Sequence, residues 1–97
     1  MDNLGIYEIE TGAYKDIETA TGETLTAGNT YYIQIVSSGY GIVKYCQKSS
    51  APDEAEGFNL SGGKDIIKFV ADNTNVFYIK ALTEGVTINI AEEQAGE

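Results

Sequence analysis

The stretch from Thr30 to Lys48 reads TYYIQIVSSGYGIVKYCQK, and its interpretation decides the fold. In a strand, successive side chains point to opposite faces. From Thr30 to Val36 that alternation sets Tyr31, Ile33 and Ile35 against Tyr32, Gln34 and Val36. Gln34 is the one polar residue among these six, which predicts a strand covered on both sides, by core on one and by another strand, a loop or a subunit on the other. Gly41 to Lys48 alternates again, with Ile42, Lys44, Cys46 and Lys48 against Val43, Tyr45 and Gln47, and the face with two lysines is expected to reach solvent. The Gly/Ser cluster between the two runs predicts a β-hairpin with a loop longer than the tightest turn.

Working outward, Leu4 to Glu10 forms a first strand, with Leu4 and Ile6 expected on one side and Tyr7 and Ile9 on the other. Tyr14 to Thr19 is a short second strand, and Thr24 to Thr26 is an edge strand or a wide connection. Ser49 to Gly57 holds the chain's one Pro with Asp53, Glu54 and Glu56, a surface loop in composition. Phe58 to Leu60 and Lys64 to Ala71 follow as strands, and Ile66 and Val70 alternate with Ile67 and Phe69, so neither face of the second is plainly polar. Asp72 to Asn75 is a tight turn. Glu84-Gly85 between Val76 to Thr83 and Val86 to Ala91 is the strongest hairpin signal of the chain, with Val86, Ile88 and Ile90 pointing inward. Residues 1–91 are expected to form one domain and residues 92–97 an acidic frayed tail.

Composition agrees with strands. Eleven Ile against four Leu, with nine Thr and seven Tyr, favours pleated, half-buried segments over helices. No helix of three turns can be placed. The expected fold is an all-β, antiparallel two-sheet sandwich, jelly-roll or immunoglobulin-like, of about 7 to 8 strands. A chain of 97 residues holds one core, with a radius of gyration of about 12 to 13 Å.

Fifteen acidic residues against six Lys, with no Arg and no His, give a net charge of −9. Such a chain repels nucleic-acid backbones and anionic membranes. It lacks a basic, apolar leader and any apolar run long enough to span a bilayer, so synthesis in the cytoplasm without a signal peptide is expected.

Catalytic constellations are thin. With no His, a hydrolase needs a carboxylate pair, a Lys base or a metal. The pairs Asp53/Glu54 and Glu92/Glu93 sit in polar segments that offer no dry pocket. Ser61-Gly62-Gly63-Lys64 lacks the phosphate-loop spacing and a following helix. Asp72 to Asn75 lacks the glycine and the closing glutamate of a calcium loop. Asn59-Leu60-Ser61 is a chance glycosylation triplet, and Cys46, with no base to activate it, is expected to pack. No enzyme activity, cofactor or metal is expected. The candidate contacts with partners or other copies are Tyr32, Val36, Phe58 and above all Tyr40, which stands between two glycines at a loop tip.

Several segments together resemble small virion proteins of tailed bacteriophages. They are Leu25-Thr26-Ala27-Gly28 leading into Tyr31-Tyr32-Ile33-Gln34, Ser50-Ala51-Pro52, and Gly57-Phe58-Asn59-Leu60 before Gly62-Gly63-Lys64. Phe77-Tyr78-Ile79-Lys80-Ala81 and Val86-Thr87-Ile88-Asn89-Ile90-Ala91-Glu92 complete the set. The resemblance is to head-decoration, head-fibre or tail-associated β-sandwich modules. Phe77-Tyr78 stands where members often carry Trp. The resemblance implies a non-enzymatic structural protein on the capsid surface that binds the major capsid protein or another virion protein as a homo-oligomer, with a trimer favoured. The alternative it leaves open is a receptor- or glycan-binding module of a tail or fibre, using Tyr40 and the Ser49 to Gly57 loop.

Overall fold

The computed structural model describes residues 2–36, 41–61 and 65–94. Eight strands, β1(Asp2–Ile9), β2(Lys15–Asp16), β3(Thr30–Ile35), β4(Ile42–Lys48), β5(Phe58–Ser61), β6(Ile66–Val70), β7(Val76–Ala81) and β8(Val86–Glu93), are joined by one short helix, α1(Ile17–Thr21). They form two four-stranded antiparallel sheets, β1-β8-β3-β6 (sheet A) and β2-β7-β4-β5 (sheet B). The radius of gyration is 12.4 Å.

The pairing is nested: β1 with β8, β2 with β7, β3 with β6, β4 with β5. This is one long folded hairpin wound into two sheets, the double Greek key of a jelly roll, and it excludes the immunoglobulin-like alternative. Of the seven connections, only that between β4 and β5 stays within one sheet.

Both hairpins expected from the sequence are therefore corrected. β3 and β4 lie in different sheets and face each other across the core, as do β7 and β8. Tight hairpin turns need left-handed backbone at one or both central residues, and Gly85 is not among the glycines with positive φ. Without that bend, the Glu84-Gly85 connection carries the chain from one sheet to the other.

Alternation places the core. Tyr31, Ile33 and Ile35 from β3, Ile67 and Phe69 from β6, and Val86, Ile88 and Ile90 from β8 meet Val43, Leu60, Phe77, Ile79 and Ala81 of sheet B. The Tyr31 hydroxyl accepts from the Thr26 N–H at 2.7 Å and donates to the Glu92 carboxylate. That bond, with one from Asn29, draws Glu92 into β8, which ends at Glu93 rather than at the expected boundary of residue 91.

Two local differences have simple causes. The register of β1 shifts between Asn3 and Gly5. This bulge separates Leu4, which packs against the core, from Ile6, which is exposed, so the two do not share a face. The segment expected as a second strand is strand only at Lys15 and Asp16, because the Asp16 carboxylate caps the Thr19 N–H at 2.8 Å and starts α1. Of the two alternatives for Thr24 to Thr26, the structure shows the wide connection.

Candidate functional site

The two sheets differ in how their outer faces are finished. On sheet B the loop from Ser49 to Gly57 folds back over β4 and β7. The Lys48 ammonium donates to both Glu56 carboxylate oxygens at 2.9 and 3.0 Å, and the Lys80 ammonium donates to the Glu54 carbonyl at 2.9 Å. The Tyr14 hydroxyl donates to the Glu56 carbonyl. Lys80, on the outward side of β7, is only 7% exposed. The lysine face expected to reach solvent is thus half-buried under the loop, and Cys46 sits half-buried on the same face.

Sheet A receives no such cover among the described residues. Its outward residues run in register across four strands: Ile6, Asn89, Gln34 and Ile66 make one row. Ala91, Tyr32 and Lys68 make the next, with the Lys68 ammonium 5.8 Å from the Tyr32 ring centre. Val70 flanks the rows on β6, and Val36 follows β3, where its N–H donates to the Thr87 carbonyl at 2.9 Å. Of six large hydrophobics exposed among the described residues, four belong to this face: Ile6 (63%), Ile66 (56%), Val70 (50%) and Val36 (47%). Clustering on one sheet face, rather than scatter, is what marks an apolar surface as a binding surface.

A second feature adjoins it. At the side of the sandwich where β5 and β6 are the edge strands, a cleft of about 300 Å³ opens, lined by Tyr45, Phe58, Ile66, Phe69 and Phe77 with Gln47 and Lys68 at its polar side. Behind it the rings of Tyr31, Phe69, Phe77, Tyr45 and Phe58 follow one another at centroid distances of 5.6, 4.0, 5.7 and 5.9 Å. The series begins at fully buried Tyr31 and ends at Phe58, which is 69% exposed.

The structure thus brings Tyr32 and Val36 together on the outer face of sheet A. Phe58 is placed apart, at the cleft, and Tyr40 lies outside the described residues. Ile66 belongs to both features. Among the described residues no strand or loop of this chain covers the Tyr32 face of β3, which leaves a subunit as the form of cover expected there. The sequence carried a signal for Ile66 and Val70 in the two-sided apolar pattern of β6, but alternation alone does not say which side faces out.

The apolar rows of this face suit binding. Among the described residues no group of three His, Cys, Asp or Glu side chains comes together to hold a metal ion, and no helix is long and apolar enough to cross a membrane. The shifted acidic groups have local, structural causes: backbone N–H donation from Asp53 and then Lys48 holds Glu56 below the ordinary carboxylate value, and backbone N–H groups of Thr74 and Asn75 do the same for Asp72. Comparison with protein-family models, curated proteins and solved structures finds no match to this chain.

Proposed function

We propose that this chain is a non-enzymatic structural module of a phage particle, a decoration protein that docks on the outside of the head and stabilises it. The observation that carries the proposal is the asymmetry of the sandwich: sheet B is finished by the chain's own loop, whereas Ile6, Tyr32, Val36, Ile66 and Val70 of sheet A are left to be covered from outside. A rigid jelly roll with one dry-ready face suits a shell-binding protein, and such folds serve viral capsids as well as lectins. Fold alone assigns neither role. The partner is then the major capsid protein or a neighbouring virion protein, and the module binds as a homo-oligomer, with a trimer favoured. Binding only to the assembled lattice stabilises that lattice by mass action.

The test is cosedimentation with heads assembled without this protein. Saturable binding, a rise in the temperature at which heads disrupt, and loss of both with Tyr32→Ala/Val36→Asp are expected. A folded protein that stays in the supernatant at all head concentrations overturns the proposal.

The aromatic cleft favours a second reading, a glycan-binding module of a tail or fibre, because Phe58 and Tyr45 present the kind of ring platform on which sugars stack. Retention on a glycan array, abolished by Phe58→Ala, is its expected signature. A blank array removes it.

A further inference from the structure

The two free edges of sheet A are complementary to each other. Ala71 exchanges backbone hydrogen bonds with Asn29 and Gly28, and β6 pairs with β3 in unbroken register. Alternation therefore turns the backbone groups of Ala71, Phe69 and Ile67 toward β3 and those of Ile66, Lys68 and Val70 toward the free edge. Between the two interior strands, the Val36 N–H bonds the Thr87 carbonyl. Thr87 and Asn89 thus face β3, Ile88 and Ile90 face β1, and their partners Tyr7 and Gly5 take up the inner ladder. Ile6 and Glu8 are left facing the outer edge of β1.

An antiparallel register that pairs Glu8 with Lys68 pairs Ile6 with Val70, acid against base and apolar against apolar. All four side chains lie on the outer face of sheet A, and none of them has an ion pair with another described residue. The bulge at Asn3/Gly5 shifts the β1 register beyond Gly5, so the regular outer edge is the part that carries Ile6 and Glu8. On the β6 side, the Gln47 amide already donates to the Val70 carbonyl at 2.8 Å, so the Ile6–Val70 pair is the last of the added ladder and rests on the Val70 N–H.

Strand alternation permits the head-to-tail arrangement, and charge selects it. Sheet A has four strands in strict antiparallel alternation, so β1 of a second copy set beside β6 continues the alternation with the same face outward. Pairing like edges is penalised: β1 on β1 brings an acidic strand against itself, and β6 on β6 sets Lys68 near Lys68, and like charges opposite one another destabilise a ladder. We infer that a second copy of this chain adds its β1 edge to the β6 edge of the first, head to tail, with Glu8 opposite Lys68 and Ile6 opposite Val70. The interface is heterologous, so repeated addition closes into a ring or grows as a chain. It leaves the outer face of sheet A facing one way in every copy, and it requires no head or other partner.

Sedimentation velocity on the purified chain, with charge variants, tests the pairing. The wild type is expected to self-associate, and Glu8→Lys and Lys68→Glu each weaken association by ~10-fold or more. The double variant E8K/K68E restores it, as does mixing the two single variants, since each then offers an edge the other fits. In a Cys46→Ala background, Ile6→Cys/Val70→Cys forms intermolecular disulfides on mild oxidation, while either cysteine alone does not form the dimer. A wild type that stays monomeric, single charge variants that associate like the wild type, or cross-linking of Ile6→Cys with itself overturns the inference. Retained melting transitions in the variants separate lost association from lost folding. Failure of head binding leaves these readouts untouched, so the two proposals fail separately.

Discussion

The Lys80 ammonium stands 4.7 Å from the centre of the Tyr14 ring. A lysine only 7% exposed is tolerated here because the ring face and the Glu54 carbonyl replace its water. Tyr14→Leu is expected to cost about 1 to 2 kcal/mol in wild type, and distinctly less in a Lys80→Met background. A double-mutant cycle on denaturant unfolding measures the coupling, expected at about 1 kcal/mol.

The Tyr14 hydroxyl titrates high, pushed up to about 12 from 10.0, first by burial and then by the negative charges of Cys46 and Glu56. A folded value above the unfolded one means that the neutral form is the one the fold favours. Its contribution is complete below pH 10 and is lost as pH rises toward 12. Melting temperature should fall across that window, and Tyr14→Phe should flatten the fall.

At the acid end, Glu56 is held below its ordinary 4.5 by the Asp53 N–H and then Lys48, and Asp72 below its ordinary 3.8 by the backbone of Thr74 and Asn75. Depressed values stabilise above the unfolded pKa and lose that effect as pH falls through the folded one. Acid melts should show destabilisation below those ordinary values, reduced in Glu56→Gln. Hydrogen exchange in the loop from Ser49 to Gly57 should rise first.

Gly57 allows the covering loop to rejoin β5. Its φ is +112°, and a Cβ there would press on the Tyr45 carbonyl and lie 2.6 Å from the Tyr14 hydroxyl. Gly57→Ala is expected to destabilise by roughly 2 kcal/mol or more, whereas Gly12→Ala, whose Cβ would meet nothing within 4 Å, pays the backbone term alone. Chemical denaturation of the two variants compares them directly.

Inside and outside of β3 differ in consequence. Ile33 is fully buried and Val36 is 47% exposed. Truncation of Ile33 to Ala should cost about 2 to 5 kcal/mol; truncation of Val36 to Ala should stay within about 0.5 kcal/mol. Equal effects would refute the assignment of faces.

Strand positions and the inward stripes of β3 and β8 were legible because period-two alternation is a local property. Connectivity was not. A two-residue link such as Glu84-Gly85 looks the same whether its strands pair in one plane or face each other across the core, and the difference lies in a backbone angle that composition does not encode. Lys80 was illegible for a related reason: its alternation marked it as outward, and only the distant loop carrying Glu54 and Glu56 turns that outward position into a buried one. The open face was half legible. Two-sided apolarity in β3 and β6 announced that a second face needs cover, but nothing local says whether the chain supplies it.

The nested pairing sets the order in which this protein can become itself. β8 lies between β1 and β3, so sheet A exists only after the last strand has left the ribosome, and until then β1 and β3 wait with unpaired edges and bare apolar stripes. The one pairing available to nearby chain is β4 with β5. Folding is therefore expected to be slow for the chain's size, as for other folds dominated by distant contacts, and the high negative charge carried by the waiting chain guards it against aggregation during that interval.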